Sequence, residues 1–236
     1  MPATISTPSL HLTTASQCCL KTSASLQYRL GLPIYTTTNP TCPACSKQMD
    51  AYGDHTVVCA TENERICRHD ALRDAIFEQA SHAGLFPKRE PRSLIPDSQR
   101  RPGDVLIPLW RNRPHAFDVA VTSPLCASNI LQASTNTGAA LEKMKQTKNN
   151  KHFHSCRQQG ITFVPLVVET LGGWDSEASF HLSKIAEMTA QRSDKRAAIV
   201  SKHFFQRLSV LLQRANASLM ATRAPPLPPP HVTGID

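Results

Sequence analysis

Residues 101–122 read RPGDVLIPLWRNRPHAFDVAVT and contain two short apolar runs, each with one aspartate. The runs Asp104–Ile107 and Ala116–Val121 have the length and the apolar content of β-strands. The segment between them contains two prolines and an asparagine, residue types that predict a loop. We therefore expect a hairpin that carries one carboxylate on each strand.

The second aspartate, Asp118, lies in the middle of its run, between Phe117 and Val119. An ionised carboxylate inside an apolar strand is costly unless another charge offsets it. Opposed residues of antiparallel strands lie within a few ångströms of each other, so Asp104 and Asp118 predict a shared Mg²⁺ site. In the alternative interpretation, Asp104 caps the start of its strand and Asp118 pairs with an arginine.

The segments around the hairpin predict helices and one further strand. Ile161–Glu169 is an apolar run with the length of a strand, and Pro165 within it favours an edge position. Apolar spacing and glycine stops predict the helices, which cover residues 24–31, 63–84, 137–159, 176–192 and 195–221. These elements predict an α/β fold, with a small mixed sheet flanked by helices.

Four of the eight cysteines lie between residues 42 and 67, which indicates metal ligation more than disulfides. Cys42, Cys45, His55 and Cys59 have the spacing Cys-x2-Cys-x9-His-x3-Cys, which is typical of a tetrahedral zinc knuckle. Four protein ligands would close the zinc site, so its role would be structural. In the alternative interpretation these are four unrelated buried residues, and Cys67 is a spare ligand or an apolar filler.

The predicted helix 137–159 carries Lys143, Lys145, Lys148 and Lys151 against one acid, Glu142. A spacing of three places Lys145, Lys148 and Lys151 on roughly one side of the helix. One of these cations could lean toward the carboxylates while others, Lys145 and Lys148 among them, contact nucleic-acid phosphates. The alternative is a solvated helix face.

The excess of basic residues indicates a partner that is negatively charged. Lys and Arg number 26 against 18 Asp and Glu, giving a formal net charge of +8. We therefore expect an anionic partner such as nucleic acid. No apolar stretch reaches the length of a membrane helix and the first residues lack a signal pattern. We therefore expect a soluble intracellular protein, nuclear or cytoplasmic, that has no membrane partner.

Several motifs share their order with a known family. They are Tyr28–Pro33, Cys42-x2-Cys45, Asp50–His55, Cys59, Arg65–Asp70, Arg101-Pro-Gly-Asp104, Phe117–Thr122, Lys148-x2-Lys151, and Phe163-x-Pro165 to Trp174. This order resembles the C-terminal part of site-specific non-LTR retrotransposon proteins. There a Cys-Cys-His-Cys knuckle precedes a restriction-like endonuclease of the PD-(D/E)XK type. The resemblance implies a restriction-endonuclease-like core and a metal-dependent DNA endonuclease, with DNA as the partner and RNA as an alternative.

The resemblance also implies roles for individual residues. Asp104 and Asp118 would hold Mg²⁺, and Lys151 would stabilise developing charge with Lys148 in support. Two departures from the family pattern are Gly103, between Pro102 and Asp104, and His152 in place of an aromatic residue. Arg65, Arg68 and His69 would contact phosphates or pack the helix, and Glu90 and Glu169 are further candidate metal ligands.

The resulting organisation has five parts. They are a leader at 1–23, a short helix and knuckle at 24–62, an endonuclease core at 63–174, C-terminal helices at 175–221 and a proline-rich tail at 222–236. The family's reverse transcriptase would precede this region, so we expect a fragment, a decayed copy or a stand-alone domain. The alternative functions are a non-catalytic nucleic-acid-binding module and a structural remnant with no partner.

Overall fold

The helices and strands alternate along the chain, as expected for an α/β protein. The computed structural model describes residues 23–35, 40–59, 63–92, 94–96 and 101–223, so nearly all of the predicted leader and tail lies outside the described residues. The elements are α1 (23–30), α2 (Asp54–Val58), α3 (Glu64–His82), β1 (Lys88–Arg89), β2 (Val105–Trp110), β3 (Arg113–Thr122), α4 (Ile130–Ala133), α5 (Ala139–Gln158), β4 (Thr162–Glu169), α6 (Ser176–Arg192) and α7 (Ala197–Arg223).

The five predicted helices are confirmed to within about two residues at each end. Helix α6 has the predicted bounds because Asp175 caps it, accepting hydrogen bonds from the backbone N–H groups of Glu177 and Ala178. Gly84 follows α3 with a φ of 72°, a left-handed conformation that glycine adopts without a steric penalty. The short elements α2, α4 and β1 were not predicted, because each is too short to show a periodic pattern.

The hairpin is present, but the predicted loop between its strands is wrong. Pro108 lies within β2 and Pro114 within β3, and the turn consists of Arg111 and Asn112 alone. Both turn residues have positive φ, 47° and 69°, as a tight two-residue hairpin turn requires. The β2–β3 register shifts between Ile107 and Trp110, where Pro108 lies and where a proline donates no ladder hydrogen bond.

The four strands form one mixed sheet in the order β1-β2-β3-β4. Strands β1, β2 and β3 pair antiparallel, whereas β3 pairs parallel with β4. Strand β4 lies at the edge of this sheet, which confirms the edge position predicted from Pro165. The fold is therefore a mixed α/β fold with a small four-stranded sheet flanked by helices.

Helices cover both faces of the sheet. Phe117, Val119 and Leu166 face one side, in a core shared with Leu72 of α3 and Ile185 of α6. On the opposite side a second apolar cluster joins the strands to α5; its buried members are Leu106, Ala116, Cys156, Ile161 and Phe163. Because alternate residues of a strand point to opposite faces, Asp118 shares the α5 side with Ala116.

The segment before α3 packs against the C-terminal half of α7. The Tyr35 hydroxyl lies 3.3 Å from the Met220 carbonyl, to which it donates a hydrogen bond, and Met220 also packs with Tyr28 and Val57. Tyr28 extends this contact toward β4 through a 3.0 Å hydrogen bond to Thr170. Among the described residues, no helix has both the length and the apolar content that crossing a membrane requires.

Candidate functional site

Two groups of side chains carry the predicted chemistry, and the first is the cysteine–histidine cluster. The ligand atoms of Cys42, Cys45, His55 and Cys59 all lie within 4.8 Å of one another. The Cys42 and Cys59 sulfurs are 4.0 Å apart, and Cys45 Sγ lies 3.3 Å from His55 Nε2. These are the four residues that the sequence spacing predicted as zinc ligands, and in the structure they lie together.

The carboxylate of Asp50 holds the loop that carries the second half of this cluster. Its oxygens accept hydrogen bonds from the backbone N–H groups of Tyr52, Asp54 and His55 at 2.7–2.9 Å. These bonds anchor the start of α2, which places His55 and Cys59 on consecutive turns. Gly53 precedes α2 with a φ of 89°, a left-handed conformation that glycine adopts without a steric penalty and that lets the chain turn into α2.

The cluster has the composition and the size that a zinc ion needs. Tetrahedral ligands about 2.3 Å from zinc are separated from one another by about 3.8 Å, which is close to the 4.0 Å between Cys42 and Cys59. Cys67 is exposed on α3 and is not one of the four clustered ligands, so it is neither an apolar filler nor a member of this set. The Cys3His cluster could therefore hold a zinc ion as a closed, four-ligand site.

Asp118 is the centre of the second group. It lies on the α5 side of β3 with only 6% of its surface exposed, and its Oδ2 lies 2.7 Å from Lys148 Nζ. The ion pair is close but poorly aligned, so Oδ2 has no hydrogen-bond partner of good geometry among the described residues. The alternative in which Asp118 pairs with an arginine is wrong, because its cation is a lysine.

Asp104 immediately precedes β2 and is held from two directions. Its Oδ2 accepts a 2.7 Å hydrogen bond from the Val119 backbone N–H and lies 3.0 Å from His69 Nε2 on α3. The residue before it, Gly103, packs so tightly that an added Cβ would lie 2.8 Å from the Ala116 side chain. The glycine between Pro102 and Asp104 is therefore required by the close approach of the two strands.

The two aspartates interact across the strand pair. Val105 is paired with Phe117 in the antiparallel register, so Asp104, one residue before β2, lies opposite Asp118 of β3. Burial raises the pKa of Asp118 to about 6; Lys148 opposes this rise, and the Asp104 charge adds to it. The hydrogen bond to Asp104, acting against the effect of burial, raises the pKa of His69 to about 9, so this imidazole is cationic at neutral pH.

The position of Lys148 follows from the phase of α5. His152 and Cys156 are buried, and the three positions 148, 152 and 156 are spaced by four residues on the face toward the sheet. The ring of His152 packs 5.4 Å from that of Phe163. Lys151 is exposed, and within the described chain no ion pair joins it to Asp104 or Asp118. The role predicted for Lys151 stays a prediction, whereas Lys148 contacts the acid.

The remaining candidates are placed as follows. Lys145 pairs with Asp175 and Glu177 at the start of α6, at 3.5 and 3.0 Å. Arg68 is buried, and its Nη1 donates a 2.8 Å hydrogen bond to the Asn216 side chain, whereas Arg65 is exposed.

Among the described residues, the carboxylates of the two additional glutamates do not cluster with the acidic pair, although the Glu90 backbone N–H donates a 2.8 Å hydrogen bond to the Asp104 carbonyl. Glu90 accepts hydrogen bonds from Arg73 and Arg101. Glu169 ends β4 next to Gly173, where burial raises its pKa. Within the described ranges, neither glutamate joins Asp104 and Asp118 in a group of three clustered metal ligands.

Sequence reasoning missed two contributors to these groups. His69 was assigned to nucleic acid and not to Asp104, and Asp50 received no role. A short polar residue ahead of a turn and a helix was the available signal for Asp50, whereas no local signal joins His69 to a residue 35 positions later. Comparison with protein-family models and with curated proteins finds no match to this chain.

Proposed function

We propose that this protein is a metal-dependent DNA endonuclease that nicks one strand, with a restriction-endonuclease-like core and a structural zinc knuckle. The observation that carries the proposal is Asp118, a buried carboxylate on an inner strand that interacts with both Asp104 and Lys148. An acid pair next to a lysine, on a mixed sheet flanked by helices, is also what the resemblance to retrotransposon endonucleases implies. The net charge of +8 suits a polyanionic substrate.

The donor set fits a hard divalent cation such as Mg²⁺. Both acids offer carboxylate oxygens, and Asp118 Oδ2 lacks a well-aligned hydrogen bond within the described chain. Mg²⁺ bound between Asp104 and Asp118 would neutralise phosphate charge and acidify a water molecule.

The remaining roles belong to the chain's own residues. In the proposed arrangement, Lys148 stabilises the negative charge that develops on the scissile phosphate. His69 orients Asp104 through its 3.0 Å contact with Oδ2. The prediction for Lys151 is a supporting cation on the exposed side of α5, and Arg65 and Lys145 stay candidate phosphate contacts.

Supercoiled plasmid provides the test. Incubated with Mg²⁺, the wild-type protein is expected to convert it to the nicked form. Asp118→Asn removes the second carboxylate but keeps the side-chain volume, so nicking should be lost while salt-sensitive DNA binding is retained. Asp194→Asn is the matched control, because Asp194 is exposed in the turn between α6 and α7 and lies outside the acidic pair. Equal nicking by wild type and Asp118→Asn would reject the proposal.

A second candidate function is a non-catalytic nucleic-acid-binding module. One observation favours it: both acids already have cationic partners, His69 on Asp104 and Lys148 on Asp118. Such neutralised acids can serve as structural ion pairs. DNA binding that weakens with salt, without nicking in Mg²⁺ or Mn²⁺, would establish this candidate and remove the first.

A further inference from the structure

A small pocket lies where three elements of the fold meet, and Asp118 does not line it. Its volume is about 230 Å³, and its walls come from the start of α3, the end of β3 with the following loop, and the first half of α5. The polar lining includes Arg65, Arg68, Ser123, Asn129, Lys143 and Thr147. Three of these side chains are cations, and no Asp or Glu lines the pocket among the described residues.

Arg68 is the unusual member of this lining. Only 3% of its surface is exposed, and Nη1 donates to the neutral side chain of Asn216. Its Nε has no hydrogen-bond partner, and no carboxylate pairs with this guanidinium, within the part of the chain that the structure describes. Burying a cation without a counter-charge costs several kcal/mol, so a buried arginine normally has an anionic partner.

The surroundings of Arg68 add positive charge and hydrogen-bond donors. Burial and the neighbouring Arg65 lower the pKa of Arg68 to about 10. Lys143 lies at the loop end of the pocket, where Nζ donates to the Ser128 carbonyl at 2.6 Å and contacts Asn129 Oδ1 at 3.0 Å. Asn129 in turn donates to the Ser123 carbonyl, which holds the loop around the pocket.

We propose that this pocket binds a phosphate group, with Arg68, Arg65 and Lys143 as its cationic contacts. A doubly charged phosphate ester suits three cations and nearby hydroxyl donors better than a carboxylate does, because it offers more charge and more acceptor oxygens. The available volume exceeds that of several water molecules, each about 30 Å³, so a phosphate fits with part of its ester. This site is independent of the proposed cleavage at Asp118.

Inorganic phosphate is the probe for the first experiment. At constant ionic strength, phosphate is expected to raise the melting temperature of the full chain above its value in chloride, and to broaden the ³¹P NMR signal. Arg68→Met should abolish both effects, and Arg65→Gln should weaken phosphate binding about tenfold. Arg157→Gln removes an exposed cation from the last turn of α5, outside the pocket, and should behave as wild type.

Arg65 and Lys143 are exposed, so the double variant Arg65→Gln, Lys143→Gln tests the site even if Arg68→Met does not fold. A wild-type protein that responds to phosphate no more than to chloride would overturn the proposal. So would pocket variants that respond as strongly as Arg157→Gln.

Oligonucleotides then identify the source of the phosphate. Displacement of inorganic phosphate by a 5′-phosphorylated strand indicates the end of a nucleic acid, whereas binding of inorganic phosphate alone indicates a small phosphate ligand. An unphosphorylated strand that competes equally well would contradict the assignment to a doubly charged phosphate. Asp118→Asn should bind phosphate like the wild type, so failure of the cleavage proposal and failure of this one are distinguishable.

Discussion

Lys148 Nζ lies 2.7 Å from Asp118 Oδ2 and connects α5 to an inner strand of the sheet. The carboxylate is almost fully buried, whereas the lysine retains 27% side-chain exposure. Because the acid is desolvated, its charged form depends on the nearby Lys148 cation more than that of a surface acid would. The contact therefore contributes to folding whether or not the protein cleaves DNA.

Lysine substitutions on α5 should separate the paired lysine from its exposed neighbour. Lys148→Met leaves Asp118 without its cation and is expected to lower the free energy of unfolding at pH 7 by about 2 kcal/mol. Lys151→Met, the matched control, should change it by less than about 0.5 kcal/mol, because Lys151 is exposed. Urea denaturation measures both values, and equal losses in the two variants would contradict the importance of the ion pair.

Cysteine substitutions should distinguish the clustered cysteines from the exposed one. The wild-type protein is expected to contain about one zinc ion per chain by elemental analysis, and a chelator should lower its melting temperature. Cys45→Ser should lose the ion, because it removes one of the four ligands. Cys67→Ser should retain it, because Cys67 is exposed outside the cluster. Zinc-free wild-type protein, or zinc loss in Cys67→Ser, would argue against the proposed ligand set.

Two neighbouring acids at α2 should respond oppositely to substitution. Asp50 accepts three backbone hydrogen bonds, so Asp50→Ala should cost about 1–2 kcal/mol of stability and weaken zinc retention. Asp54 Oδ1 is buried without a partner among the described residues, and burial, aided by the charge of Asp50, raises the Asp54 pKa to about 6. Asp54→Asn should therefore be neutral or stabilising. Thermal unfolding of both variants measures the two changes in stability. A larger loss of stability in Asp54→Asn than in Asp50→Ala would contradict the prediction.

Local signals explain why much of the fold could be predicted from the sequence. The cap at Asp175 and the glycine after α3 mark helix ends through contacts within a few residues. The prediction of the hairpin loop was wrong because it depended on contacts that are not local. Pro108 and Pro114 are normally loop signals, but strands tolerate proline where no ladder hydrogen bond is needed. Which backbone groups go unpaired depends on neighbouring strands that lie far away in the sequence.

The sequence predicted which residues form the candidate site better than it predicted which of them contact each other. The four clustered ligands lie in one short segment, so their spacing in the sequence was sufficient to predict that they cluster. Choosing between Lys148 and Lys151 required the rotational phase of α5 against the sheet, which the buried positions of His152 and Cys156 reveal only in three dimensions. The His69–Asp104 contact joins two elements that are separated by β1, and no periodic pattern encodes it.

His181 gives a prediction for pH dependence, because its ring is buried against the hairpin. Its Nδ1 accepts a 3.0 Å hydrogen bond from Trp110 Nε1, which requires the neutral imidazole form at Nδ1. Burial, with smaller contributions from His115 and Arg111, lowers the pKa of His181 to about 4, although Glu177 opposes this. An unfolded histidine has a pKa of about 6.5, so between these values the unfolded state binds more protons.

The contribution of His181 to stability is therefore fully present above about pH 6.5 and is lost as the pH falls toward 4, by up to about 3 kcal/mol. His181→Gln keeps an acceptor for Trp110 but cannot titrate, so its stability should fall less steeply than that of the wild type over this range. His82→Gln, which replaces an exposed histidine at the end of α3, should keep the wild-type slope. Urea denaturation at several pH values measures the slopes. If His181→Gln and wild type lose stability in parallel, another group is responsible for the acid sensitivity, because only the buried imidazole differs between them.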